Sequence, residues 1–167
     1  MQRTCVTGVS GGGKSTLARA LGAKLGLPVT HLDVLWWQPG WVPLVHEKLR
    51  PLVEQVVAEE GWVVDGNFSD TFPMRLARAD TVIWIDRPRL VSFARAFGRF
   101  LKLRGQPRED VGEGCPEKFD LEFARYIWTY NREVAPRMAA MLREHGSHVE
   151  VVRLRNDAEI ADFLNQR

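Results

Sequence analysis

The stretch Gly8-Val9-Ser10-Gly11-Gly12-Gly13-Lys14-Ser15 fits the spacing G-x-x-x-x-G-K-[ST] of a phosphate-binding P-loop. Each residue type there has a chemical reason. Glycines let the backbone reach positive φ and turn N–H groups onto phosphate oxygens. A helix starting directly after them adds partial positive charge. Lys14 can reach the outer phosphates of a nucleoside triphosphate, and the Ser15 hydroxyl can ligate Mg2+. Gly8, Ser10, Gly11, Gly12, Gly13, Lys14, Ser15 and the adjoining Thr16 are therefore the expected phosphate cradle. Asp65 ends the apolar run Trp62-Val63-Val64, the form of a Walker B segment that holds Mg2+ directly or through water. An aspartate before Gly66 equally suits a plain turn. Asp33 ends Leu27-Pro28-Val29-Thr30-His31-Leu32. A carboxylate at the C-terminal edge of a strand points to the crevice where open α/β sheets bind ligands. Arg95 and Arg99 stand i, i+4 and can address one ligand.

Strands and helices must alternate to place these groups. Arg3 to Thr7 reads as a strand, and Leu17, Leu21 and Leu25 mark the helix after the glycine loop. Leu27 to Asp33 is a second strand. Trp36, Trp37 and Trp41, among Pro39, Gly40 and Pro43, form an aromatic loop that either stacks on a flat substrate or packs over the sheet edge. A helix spans about His46 to Glu60 with Leu49, Leu52, Val53, Val56 and Val57 inward, Pro51 fitting best near its first turn. Trp62 to Gly66 is a third strand, and Asn67 to Ala79 is irregular with at most a short helical turn. Asp80 to Asp86 is a fourth strand. Pro88 opens a helix to about Leu103, with Leu90, Phe93, Phe97 and Leu101 on one side. Gly105 to Pro116 is rich in Gly, Pro and charge and predicts a mobile loop, a length often used as a lid. Asp120 to about His145 is mostly helical with a break at Pro136, and Phe123, Ile127, Tyr130 and Val134 share a face. His148 to Leu154 is a fifth strand, and Asn156 or Asp157 caps a last helix. This alternation predicts an α/β fold in one domain, residues 1–167, with a parallel sheet covered by helices on both faces.

Composition narrows the class. No apolar run approaches a membrane span, and the N-terminus runs directly into the first strand, so no signal peptide is expected. Cys5 and Cys115 are far apart, and Cys5 falls in the buried first strand, which suits free thiols in a reducing cytoplasm. The four histidines lack metal-ligand spacing with either cysteine. Nine basic residues from Arg75 to Arg108 face only Asp80 and Asp86 within that stretch. Arginine suits planar phosphate recognition, so the run is either a triphosphate clamp or a nucleic-acid surface. A solvated basic helix accounts for part of it.

The chain resembles the adenylate kinase-like P-loop kinases over nearly its full length, and within them the DNA topology modulation (FlaR-related) proteins. The shared stretches are Lys14-Ser15-Thr16-Leu17-Ala18, Leu27 to Asp33, Asp65-Gly66-Asn67-Phe68, Arg78 to Asp86 and Glu113-Gly114-Cys115-Pro116-Glu117. The resemblance implies a P-loop NTPase fold of three α/β/α layers, strand order 2-3-1-4-5, and a helical lid with its loop at 104–118. It implies Arg95 against the adenine of ATP, Arg99 on the phosphates, Asp65 toward Mg2+, and the turn from Arg153 to Asp157, with Arg155, beside the adenine. Arg125 is a further lid candidate. Residues 34–60 would bind the acceptor, with Asp33 orienting or deprotonating the attacking hydroxyl. Two monophosphate-gripping arginines of adenylate kinases are replaced, by Trp36 and Ser69. Arg75 or Arg78 would take over, or the acceptor lacks a phosphate.

The expected activity is thus ATP- and Mg2+-dependent phosphoryl transfer to a small molecule. A nucleotide or nucleoside comes first, with Asp33, Trp36, Trp37, Asn67, Phe68 and Arg75 around it. A hydroxylated metabolite of the shikimate or sugar-acid kind is the alternative. Outside that class stand a nucleic-acid-associated regulator and an ATPase switch. No membrane partner is expected, and the oligomeric state is left open.

Overall fold

Residue-by-residue alternation along the strands builds the two cores. In the computed structural model, which describes residues 1–167, five parallel strands form one sheet. They are β1 (Arg3–Gly8), β2 (Val29–His31), β3 (Trp62–Asp65), β4 (Thr81–Ile85) and β5 (Glu150–Leu154). Their order is β2-β3-β1-β4-β5, the expected one. Eight α-helices accompany them: α1 (Lys14–Leu25), α2 (Leu32–Trp36), α3 (His46–Ala58), α4 (Phe72–Arg78), α5 (Arg89–Leu103), α6 (Leu121–Glu133), α7 (Ala135–His145) and α8 (Asp157–Asn165). Successive strand side chains point to opposite faces. Cys5, Val64, Val82 and Trp84 therefore join Leu49, Val53 and Val57 of α3, Phe72 and Leu76 of α4 and Met138 of α7. Val6, Val63, Ile83 and Ile85 join Leu17 and Leu21 of α1 and Phe163 of α8. Each such fully buried side chain contributes about 1.5–3 kcal/mol. That scale explains why α3 tolerates Pro51 in its interior, where proline costs about 3 kcal/mol. Leu49, Val53 and Val57 together outweigh it.

Four expectations are corrected. Asp33 does not end a strand; β2 stops at His31, and Asp33 lies in the first turn of α2. The segment after Asn67 is not irregular but a 3-10 turn (Ser69–Thr71) running into α4. On α3, Leu52 faces outward. On α5, Leu90, Phe93, Phe97 and Leu101 do share one side, with Leu90, Phe97 and Leu101 66%, 43% and 62% exposed, and Ser92 and Ala96 are the buried residues. The reason is steric: the glycine loop presses its backbone against α5, and only small side chains fit between them. The break between α6 and α7 falls at Val134, with Pro136 in the first turn of α7 where its missing N–H is harmless.

The loop from 104 to 118 is docked rather than unattached. The backbones of Arg104 and Glu117 form an isolated parallel β-bridge, and the Glu117 N–H donates to the Gln106 carbonyl at 2.9 Å. Its far side rests on a hairpin in which Trp37–Gln38 pairs antiparallel with Val42–Pro43. The Gly40 N–H donates to the Gly114 carbonyl (3.0 Å), the Trp41 indole to the Pro116 carbonyl (2.9 Å), and the Cys115 thiol to the Gln38 carbonyl (3.1 Å). Gly112 is required here, since a Cβ would lie 1.7 Å from the Trp37 carbonyl oxygen. Cys5 and Cys115 are both buried and unpaired.

Arg75 is a structural residue. It is fully buried on α4, and its guanidinium donates to the carbonyls of Gly66 (3.0 Å), Asn67 (2.7 Å) and Phe68 (3.0 Å). It closes the turn between β3 and α4 and does not reach the cavity described below, which corrects its expected role as a substrate ligand. Arg75→Ala strands three carbonyls and should lower the unfolding free energy by about 3 kcal/mol or more. A urea melt checks this; an unchanged midpoint would contradict the structural role.

Candidate active site

Backbone geometry makes the cradle. Gly8 has φ +137, and a Cβ there would lie 2.2 Å from the Ile85 carbonyl oxygen of β4. The loop then turns, with the Gly12 N–H donating to the Val9 carbonyl (3.1 Å), and Gly13 caps α1 in the left-handed region. Two side chains from neighbouring elements hold this path. Asn67 Oδ1 accepts from the Thr7 hydroxyl (2.8 Å) and the Gly8 N–H (3.1 Å), while Nδ2 donates to the Gly8 carbonyl (3.1 Å) and Tyr126 Oη (2.7 Å). Buried Arg87, just past β4, donates from Nε to the Gly12 carbonyl (2.8 Å) and from Nη2 to Asp157. Lys14 folds back on the Val9 carbonyl at 3.3 Å. Burial lowers its pKa, opposed by the negative charges of Asp65, Asp33 and Asp110. A triphosphate would supply the same opposing charge.

One cavity of about 630 Å3 opens over this loop, within the usual size of small-molecule sites. Ser10, Gly11, Gly13, Lys14, Ser15 and Thr16 form its floor, and Asp33, Trp36, Trp37, Trp41, Phe68 and Tyr126 form a wall. The aromatic groups support one another edge to face, with ring centroids 5.7 Å apart for Trp36 and Phe68 and 5.4 Å for Trp37 and Trp41. Burial pushes the Asp33 carboxyl up to about 6, against the pull of Lys14. Asp33 makes no side-chain hydrogen bond, which leaves it free to accept one from a ligand.

The roof is an ion network. Glu117, buried, accepts from Arg99 Nε at 3.0 Å on one oxygen and from Arg108 Nη1 at 2.7 Å on the other. Arg108 also grips Asp110 through two bonds of 2.9 and 2.6 Å. Burial favours the neutral Asp110, but the Arg108 guanidinium overrides it, helped by the Ser15 hydroxyl, and holds the carboxyl well below the usual range. The network brings a helix arginine and a loop arginine over the cradle together.

Several expected site residues lie elsewhere or are already engaged. Asp65 is buried, accepts from His31 Nδ1 at 2.6 Å, and does not line the cavity. Burial disfavours the His31 imidazolium, but the Asp65 hydrogen bond and charge outweigh this and raise its pKa. The His31 contact engages one of the two Asp65 oxygens, and the carboxylates that line the cavity with Ser15 are Asp33, Glu109, Asp110, Glu117, Asp120 and Glu122. Asn67 lines the cavity, but its oxygen and nitrogen are both engaged in holding Gly8. Gly8 and Gly12 shape the loop from behind and do not line the cavity. Arg95 sits beside Gly13 but outside the cavity, paired with exposed Asp157 at 2.9 Å. Arg155 is exposed, and only its backbone N–H is engaged, by Glu159. Arg125 is exposed and outside the cavity. Tyr126, Asp110, Glu117 and Arg19 were absent from the expected set; the charged triplet Arg108-Glu109-Asp110 within a glycine-rich loop was the available signal for one of them.

Solved structures share this architecture. A shikimate kinase from Bacteroides thetaiotaomicron matches with a TM-score of 0.52 at 18% identity, over 99% of this chain and 95% of the other. A shikimate kinase from Acinetobacter baumannii in complex with shikimate matches with a TM-score of 0.58 at 14% identity, over 99% of this chain and 90% of the other. At such identities the likeness shows the fold, the P-loop kinase fold with a five-stranded parallel sheet. No protein-family model matches the sequence, and no curated protein matches it.

The Asp33 environment sets a testable pH dependence. Its native pKa is raised, so the folded state binds the extra proton more tightly than the unfolded chain does. Asp33 therefore destabilises the fold above about pH 6, and that penalty fades as pH falls toward 4. Asp33→Asn should raise the melting temperature at pH 7 and leave it little changed near pH 4, read by thermal melts across pH. An equal effect at both pH values would contradict the burial of this charge.

Proposed function

We propose that the protein transfers the γ-phosphoryl group of ATP to a hydroxyl of a small molecule. The observation that carries this reading is that one cavity holds both halves of such a reaction. The P-loop floor and Lys14 lie on one side, and the free carboxylate of Asp33 on the other. A triphosphate suits the floor because Gly11 and Gly13 line it at positive φ (+79 and +103) and the loop runs straight into the N-terminus of α1. Ser15 would hold Mg2+, with Asp33 and Asp110 as the nearby carboxylates. The metal would supply positive charge for the phosphate oxygens. Lys14 and Arg99 would stabilise charge on the transferred group, and Asp33 would orient the hydroxyl or take its proton. Arg95, beside Gly13, would be released from Asp157 to meet the base of the nucleotide.

For the acceptor, a hydroxylated metabolite is favoured over a nucleotide. Two solved neighbours of this fold are shikimate kinases, and the arginines that would grip a nucleotide phosphate are absent or engaged elsewhere. A nucleic-acid role finds little support in the arginine run. Arg75, Arg87, Arg95, Arg99 and Arg108 all have partners within the fold, and Arg89 lies over the Trp128 ring.

Lys14→Ala should abolish measurable ATP binding by calorimetry and lower acceptor-dependent ADP release by about 100-fold or more. Unchanged ATP affinity in this variant would refute the kinase reading.

A further inference from the structure

The charges around the acceptor wall select among hydroxyl compounds. Five cations line the cavity: Lys14, Arg19, Arg99, Arg108 and Lys118. Lys14 belongs to the phosphate floor. Arg99 and Arg108 share Glu117, and Arg108 also holds Asp110. Lys118 pairs with Asp120 at 2.9 Å and lies over the Trp41 ring. Arg19 is the one cation of the cavity without an acidic partner, one helical turn beyond Ser15 on the same face of α1. On the neighbouring elements, Lys48 of α3 and Arg125 of α6 are unpaired, but both are exposed and outside the cavity. Arg50 on α3 turns to Glu54, His46 pairs with Asp70, Arg75 is buried on three carbonyls, and Arg78 donates to the Ala58 carbonyl. Against this stand three acids of the cavity that form no ion pair, half-buried Asp33 and the exposed Glu109 and Glu122. A carboxylate or phosphate placed on this wall would lose water and meet three unpaired acids against the single free guanidinium of Arg19. A ring with a hydroxyl would instead cover Trp36 and Phe68 and present its hydroxyl to Asp33.

Resting on the kinase reading above, we infer that the acceptor is an uncharged hydroxyl compound with a flat or apolar face, not an anion. Shikimate itself, a carboxylate, and nucleoside monophosphates both fall outside this class.

The test uses pairs of one uncharged and one anionic member that keep a common hydroxyl: methyl shikimate with shikimate, thymidine with its 5′-monophosphate (sharing the 3′-hydroxyl), and 4-methylbenzyl alcohol with 4-(hydroxymethyl)benzoate. ADP release is followed for each with the wild-type chain and saturating MgATP. Binding is followed by tryptophan fluorescence with a non-hydrolysable ATP analogue bound. The uncharged member should bind and react with kcat/KM higher by about tenfold or more. Trp36→Arg should shift that preference toward the anionic member by a similar factor. An anionic preference in the wild type overturns the inference, and its loss in Arg19→Ala would identify Arg19 as the overlooked anion handle. Absence of binding by every uncharged member also overturns it. In either case intact MgATP binding leaves the kinase reading standing, whereas failure of the wild type to bind MgATP removes that reading itself.

Discussion

Close backbone approach at the glycine loop is the constraint from which the rest of the architecture follows. Gly8 lies against the Ile85 carbonyl and Gly11 against the Ser92 carbonyl, each at a distance that no side chain could share. A loop pressed between β4 and α5 must have its polar backbone satisfied from the sides. Asn67 supplies this from the end of β3, and Arg87 from the end of β4. The face of α5 toward the loop must be small, so Ser92 and Ala96 occupy it. The large apolar residues of that helix are displaced toward solvent and toward Phe119, whose ring meets Phe93 and Phe97 edge to face.

The roof obeys a different logic, that of charges removed from water. Glu117 is stable in its buried position because both of its oxygens accept from guanidinium groups, which replaces the lost hydration. The same carboxylate couples Arg99 on α5 to Arg108 on the loop. Hydrogen bonds to the hairpin at Trp37–Pro43 tie that loop to the aromatic wall as well. The arginines of the roof and the rings of the wall are therefore parts of one connected unit. Asp33 lies beneath it, and its elevated pKa is the direct result of being covered without a hydrogen-bonding partner.

Local rules read much of this correctly. The Gly8 to Ser15 spacing located the cradle, and apolar alternation located all five strands. Errors arose where a residue answers to a distant neighbour. Arg75 looked like a phosphate ligand because arginine suits that role, yet three carbonyls from the β3–α4 turn claim it. Periodicity found the apolar stripe of α5, but the direction of that stripe depends on how close the glycine loop comes. Asp65 has the form of a metal ligand, and only the register of β2 with β3 shows that it also meets His31.

The amino-acid sequence by itself determined the α/β alternation and the glycine loop that ends in Lys14 and Ser15. These follow from residue type, spacing and periodicity, which act over a few positions. The tertiary structure alone decided which charges meet: Glu117 with Arg99 and Arg108, Asp157 with Arg87 and Arg95, and Asn67 with Gly8. Such pairings join segments as far as 75 residues apart, as between Arg87 and Gly12. No local pattern encodes them, because the partner of a buried charge is set by what the packed elements bring beside it.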